Sequence, residues 1–269
     1  MLAFFTKYTN MLYAIITGAS KGIGKAIAEE LATRKINLIL IARSESLLTE
    51  IATDLSSRYG IHTDTLPIDL ALPDAPKQIA SWVREKGYSV NMLINNAGYG
   101  LSGSFERYDA AAHADMMQVN ITTPVTLTRL LLSELKSHPK SYILNIASAA
   151  AYQAVPGLTA YAASKSFLVS FSRGLRYELR NTPVSVTVVS PGGTDSDFAN
   201  RAQVSEKAVK AGEKLNMTAE AVAKQAVNAM FAQKTEIITG FVNQLGAFLV
   251  WLLPKKLAEK MASGIYSQE

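Results

Sequence analysis

The sequence predicts a single doubly wound α/β domain: a seven-stranded parallel sheet with helices on both faces. Three observations carry this. Short β-branched runs alternate with longer helix-like segments along the whole chain. The central runs are continuously apolar rather than alternating, as parallel strands buried on both faces must be. A glycine-rich turn joins the first run to the first helical segment without a linker.

In chain order, strands are expected at Leu12–Thr17, Asn37–Ala42, His62–Ile68, Asn91–Asn95, Ser141–Ala147, Val184–Ser190 and Glu236–Thr239. Helices are expected between them at Gly22–Arg34, Glu45–Tyr59, Asp74–Lys86, Asp109–Leu135, Thr159–Arg180 and Thr218–Gln233. Two stretches depart from the alternation. Gly193–Asn216 is polar, charged and weakly periodic, the profile of a lid. The C-terminal extension, 241–269, begins within a charge-free stretch, Ile237–Pro254. With no repeat or low-complexity linker, 1–269 reads as one catalytic domain.

Length and composition agree. At roughly 150 residues per domain, 269 residues make one large domain or two small ones. Hydrophobic residues at 48% and charged residues at 18% are too apolar for disorder and too polar for a multi-spanning membrane protein. Lys plus Arg is 27 against 22 Asp plus Glu, a net charge of +5 with no basic run. That weighs against nucleic acid and admits a small phosphorylated ligand. Cysteine is absent, which excludes disulfides, thiol catalysis and Cys-based zinc, and fits a reducing cytoplasm. His62, His113 and His138 are isolated, so no metal site is expected. The N-terminus lacks a clean basic start and a small-residue cleavage site, and a secretory signal is not expected.

The glycine turn reads Thr17-Gly18-Ala19-Ser20-Lys21-Gly22-Ile23-Gly24. Glycines let the chain turn sharply and bring its backbone close to a pyrophosphate. The free N–H groups and positive dipole end of the new helix then hold that anion. Gly18, Ser20, Lys21, Gly22, Ile23 and Gly24 are therefore candidate phosphate-binding residues of a Rossmann-type nucleotide site. The end of the second strand chooses the cofactor. An Asp or Glu there would bind the ribose hydroxyls of NAD and repel a 2′-phosphate. This chain has Ala42-Arg43, with Lys21 in the loop, and two cations without a carboxylate favour NADP(H).

Tyr161 and Lys165 lie four apart on a predicted helix and so share a face, about 6 Å apart along the axis. Tyrosine titrates near 10, and a neighbouring ammonium brings the phenol toward the range where acid–base catalysis works. A Tyr-x-x-x-Lys pair is common by chance, and its weight comes from its surroundings.

Those surroundings resemble the short-chain dehydrogenase/reductase family along essentially the whole chain. Thr17–Gly24 matches T-G-x-x-x-G-x-G, Asp69-Leu70 follows the third strand, and Asn95-Asn96-Ala97-Gly98 follows the fourth. Asn120 lies in the long helix, Ser148 ends the fifth strand, and Pro191-Gly192 follows the sixth. The resemblance implies that Tyr161 transfers the proton and that Lys165 lowers its pKa while binding the nicotinamide ribose. It further implies that Ser148 holds the substrate oxygen and Asn120 positions a relay water. Asp69, Leu70, Asn96, Ala97, Gly98, Pro191 and Gly192 would contact the cofactor, as would Ser196, where the family carries Thr. Local strings such as Leu40-Ile41-Ala42-Arg43 and Pro191-Gly192-Gly193-Thr194 resemble a bacterial branch akin to ketoacyl reductases and hydroxysteroid dehydrogenases.

Leu101, Phe105, Tyr152, Val155, Leu158 and Phe198 are expected to flank Tyr161 and Ser148, suiting a hydrophobic carbonyl or alcohol. An NADPH-sensing regulator on the same fold is the alternative. The dense apolar part of the C-terminal stretch, Leu245–Leu253, covers about 14 Å as a helix and cannot cross a hydrocarbon core of about 30 Å. It would form the outer wall of the substrate pocket, a subunit interface, or a membrane-surface contact beside Lys255, Lys256 and Lys260. The first two need only a soluble homodimer or homotetramer, and take precedence.

Overall fold

A computed structural model of the chain describes residues 11–195, 202 and 216–266. Seven strands form one parallel sheet in the order β3-β2-β1-β4-β5-β6-β9. They are β1 (Leu12–Thr17), β2 (Asn37–Ala42), β3 (Thr63–Pro67), β4 (Ser89–Asn95), β5 (Ser141–Ile146), β6 (Val184–Ser190) and β9 (Glu236–Ile238). A separate parallel pair, β7 (Thr194–Asp195) with β8 (Met217–Thr218), closes the base of the loop that follows β6. The helices are α1 (Gly22–Thr33), α2 (Glu45–Tyr59), α3 (Ala75–Glu85), α4 (Ala110–Met117), α5 (Thr123–Lys136), α6 (Thr159–Glu178), α7 (Ala219–Phe231), α8 (Phe241–Leu252) and α9 (Lys255–Tyr266).

The continuous apolar runs resolve into two cores because alternate side chains leave a strand on opposite faces. Ala14 and Ile16 of β1, with Leu38 and Leu40 of β2, pack under α1, α2 and α7. Tyr13 and Ile15, with Ile39 and Ile41, pack on the other face under α3 and α5. The register sets Ile15 beside Ile39 on one side and Leu93 on the other. Strand order reverses between β2 and β4 around β1, and in open α/β sheets the crevice at such a reversal is where ligands bind.

The helix expected over Asp109–Leu135 is interrupted. Pro124 has no N–H for the carbonyl of residue 120, four positions back, and the chain widens into a π-helical turn over Gln118–Thr122 between α4 and α5. Asn120 lies inside that turn. Of the expected lid, residues 193–195, 202 and 216 are described; the rest, with Ser196 and Phe198, lies outside the described residues.

Candidate active site

The crevice is a cavity of about 690 Å³ at the carboxyl ends of β1, β2, β4 and β5. Its near wall is the glycine turn. Gly18 and Gly22 adopt left-handed backbone, with φ of 67° and 53°, which glycine enters without a steric cost. Gly24 is required by packing: a Cβ there would lie 2.2 Å from the Gly18 carbonyl oxygen. No side chain caps α1 and its first turn holds no acid, so its N–H groups and dipole face the cavity uncompensated.

The Asn95–Gly98 loop is stitched to this turn. Thr17 Oγ1 donates to the Ile94 carbonyl and accepts from the N–H groups of Asn96 and Ala97, at 3.0 and 3.1 Å. Asn96 Nδ2 donates back to the carbonyls of Thr17 and Gly18. Asn96 therefore lines the cavity while its amide holds the loop. Below it, Asn95 Nδ2 donates to Asn145 Oδ1 at 2.8 Å, and Asn145 Nδ2 donates to Ser172 Oγ at 2.8 Å. This buried polar chain fixes the ends of β4 and β5.

Ser20, Lys21, Gly22, Ile23, Arg43, Asp69, Leu70, Ala97 and Gly98 all line the same cavity. Arg43 is exposed at its mouth. Asp69 Oδ1 accepts from the N–H of Ala71, an Asx turn that orients the carboxylate. Ser44, Leu47, Ile68 and Val119 also line it and carried no motif. Only the position of Ser44, directly after Arg43, pointed to it.

Tyr161 stands in the first turn of α6 and Lys165 one turn on. Both line the cavity, and the Lys165 ammonium lies 5.8 Å from the Tyr161 ring centroid, so the shared face is realised. Lys165 is 4% exposed, and its Nζ donates to the Ile146 carbonyl at 2.9 Å. Burial disfavours its charge and lowers its pKa to about 8. Gly98 fits beneath it for want of a side chain: a Cβ would lie 3.0 Å from that Nζ.

Ser148 follows the lining residue Ala147, and its Oγ accepts from the N–H of Ala150. Asn120 is buried, and its side chain is fully engaged. Its Oδ1 accepts from the N–H of Tyr99, and its Nδ2 donates to the Tyr99 carbonyl and to Ser164 Oγ. Pro191 and Gly192 lie outside the cavity lining. The Pro191 carbonyl accepts from the N–H of Ala149, and Gly192 abuts the Asn243 side chain.

Of the expected substrate flank, Val155 and Leu158 are buried against Tyr161, with Leu101 packed beside them. Phe105 is 69% exposed and stacks on His113. Tyr152 turns away, donating to Glu236 Oε1 at 2.6 Å beside Ser190 Oγ, and burial with that carboxylate pushes its phenol well up.

The family model for short chain dehydrogenase matches residues 12–207. The chain is a member of the short chain dehydrogenase family. This short chain dehydrogenase is 36% identical over 183 residues to a very-long-chain 3-oxoacyl-CoA reductase of Danio rerio, covering 66% of the chain and 57% of that protein's length. It is similar in structure to a short-chain dehydrogenase from Sphingobium yanoikuyae in complex with NADPH, with a TM-score of 0.80 at 26% identity over 90% and 93% of the two chains. A family structure from Burkholderia phymatum in complex with NAD shares the fold, with a TM-score of 0.80 at 23% identity over 91% and 94%. Carbonyl and alcohol oxidoreduction with a nicotinamide cofactor is the family's general chemistry. The cavity fits such a dinucleotide: an uncapped helix N-terminus and a glycine cradle face it, with Tyr161 and Lys165 in its wall.

Proposed function

We propose that this chain is an NADPH-dependent oxidoreductase. It reduces, or reversibly oxidises, the carbonyl or alcohol of a hydrophobic small molecule or ketoacyl group. The observation that carries the reading is Lys165, buried beside Tyr161 and in the same cavity as Arg43. An ammonium is costly to bury, and its position here serves a ribose and a phenol rather than the core.

Ser20, Lys21, Gly22, Arg43 and Lys165 would hold the cofactor, which when bound would supply or accept the hydride. The chain's own residues handle the proton. In reduction the Tyr161 hydroxyl passes its proton to the carbonyl oxygen, and in oxidation the phenolate takes it back. The Lys165 charge favours the phenolate. Ser148 Oγ already accepts from a backbone N–H, which leaves its own proton to donate to the substrate oxygen. The Asn120 amide is committed to Tyr99 and Ser164, so both its donor hydrogens hold the protein rather than a relay water.

Arg43 at the end of β2 supports NADP(H) over NAD(H) through bidentate phosphate pairing. Leu101, Val155 and Leu158 beside Tyr161 support an apolar substrate, and the Danio rerio relative, a very-long-chain 3-oxoacyl-CoA reductase, is named for a substrate of that class. A cytoplasmic homodimer or homotetramer is the expected setting. The purified chain, given NADPH or NADH and a panel of hydrophobic ketones, aldehydes and 3-oxoacyl thioesters, tests the reading by nicotinamide absorbance. NADPH consumption with an apolar carbonyl is expected. NADPH binding with no turnover across the panel would favour the regulatory alternative.

A further inference from the structure

No residue of α8 is buried, although the helix is almost wholly apolar. Its inward side is Asn243, Ala247 and Val250, all half-buried. Its two polar side chains are spent on the protein: Asn243 Nδ2 donates to the Thr239 carbonyl, and Gln244 Nε2 donates to that of Ile238. At helical spacing, Phe241, Leu245, Phe248 and Leu252 form one outward stripe, widened by Leu249 and Trp251. Trp251 is 78% exposed. A patch of this kind marks an interaction surface.

We propose that the outward face of α8 docks on an anionic lipid bilayer, with the helix lying in the plane of the interface. Charge selects this occupant. No acidic residue occurs between Glu236 and Glu259, while Lys255 and Lys256 follow α8 directly and Lys260 comes one turn later. All three lysines are exposed. In α9, Ala258 and Ala262 are buried, while Leu257 and Met261 face out beside the lysines. Apolar and aromatic residues flanked by Lys are the composition of interfacial helices. Apart from the Trp251 indole N–H, which suits the headgroup level of a bilayer, the α8 stripe offers a partner protein no hydrogen-bonding group to recognise, whereas fluid hydrocarbon requires none. At about 1.5 Å per residue α8 spans about 18 Å, against a hydrocarbon core of about 30 Å, so it lies on the membrane rather than crossing it.

Docking also orients the enzyme. Asn243 abuts Gly192, and the neighbouring Pro191 carbonyl accepts from the N–H of Ala149, next to Ser148. The lipid-facing helix thus borders the segment that flanks the substrate oxygen, where an apolar carbonyl would arrive from the bilayer. The docking itself does not depend on the reaction.

Co-sedimentation of the full chain with vesicles of phosphatidylcholine, alone or mixed with phosphatidylserine, tests the proposal. The protein should pellet with the mixed vesicles and far less with phosphatidylcholine alone. Each lysine near an anionic surface is worth about five-fold in partitioning, so Lys255→Gln with Lys256→Gln should weaken binding about 25-fold. Trp251→Glu should abolish it while leaving NADPH binding and sedimentation velocity unchanged, which shows that the fold and assembly are intact. A wild-type chain that stays in the supernatant with mixed vesicles would overturn the proposal. So would a Trp251→Glu variant that falls to a smaller oligomer, since the face would then belong to a second copy.

Discussion

The ammonium of Lys165 on α6 donates to the carbonyl of Ile146, the last residue of β5, across 2.9 Å. This bond pins a buried charge two residues before Ser148 and one helical turn after Tyr161. It links the Tyr161–Lys165 face of α6 to the sheet that carries the cavity.

Burial of that charge has a pH signature. Burial lowers the pKa of Lys165 to about 8 in the free protein, and on the proposed mechanism the protonated form is the one that would donate to a ribose and favour a phenolate. NADPH affinity should therefore fall several-fold per pH unit as pH rises above 8. The fall should vanish in Lys165→Met, which binds weakly throughout. Titration of cofactor binding from neutral to alkaline pH checks both. An affinity independent of pH in the wild-type chain would contradict the assignment.

The same substitution should stabilise the cofactor-free protein. A lysine whose pKa is lowered from 10.5 to about 8 costs stability fully below pH 8, progressively less up to 10.5, and nothing above. The cost at neutral pH is roughly 3 kcal/mol. Losing the donor to Ile146 offsets about 1 kcal/mol of this. A net gain of about 2 kcal/mol for Lys165→Met is expected in denaturant unfolding at pH 7, shrinking as pH rises toward 10.

Arg43→Asp should invert cofactor preference. It removes the phosphate partner at the mouth of the cavity and places a carboxylate where ribose hydroxyls can be held. The NADPH-to-NADH affinity ratio should drop by about 100-fold or more. An unchanged ratio would mean that Arg43 is only a solvated surface charge.

Asn120→Ala should loosen the Gly98–Tyr99 segment, since it removes the acceptor of the Tyr99 N–H and the donor to the Tyr99 carbonyl and to Ser164 Oγ, which keeps its own bond to the Tyr161 carbonyl. Each unsatisfied buried group costs about 1–3 kcal/mol. Thermal unfolding should show a loss of several kcal/mol together with a lower kcat. Stability equal to that of the wild type would contradict a structural role for this amide.

Much of this site was legible in the sequence because backbone requirements leave marks in residue type. The positive φ of Gly18 and the crowding at Gly24 demand glycine, and the doubly buried strands demand unbroken apolar runs. The Tyr161–Lys165 face followed from helical spacing. Hydrophobic periodicity runs unbroken through Asp109–Leu135 and hides the π turn, and Pro124 alone marks the break in residue type. The acceptor for Lys165 is a main-chain carbonyl, chosen by the packing of α6 on β5, and no residue type encodes it. Phe105 and Tyr152 matched the apolar pattern of a pocket wall, yet one stacks on His113 at the surface and the other is drawn to Glu236 across the fold.

The most direct test of the proton-transfer role is the wild-type chain against Tyr161→Phe in a single-turnover experiment with NADPH and an accepted apolar carbonyl. The ring and its packing against Val155 and Leu158 are kept, and only the proton donor is removed. NADPH binding should stay within about two-fold, while reduction should fall by about 10²–10⁴-fold, the range for a general acid. Reduction at the wild-type rate in Tyr161→Phe would contradict the mechanism.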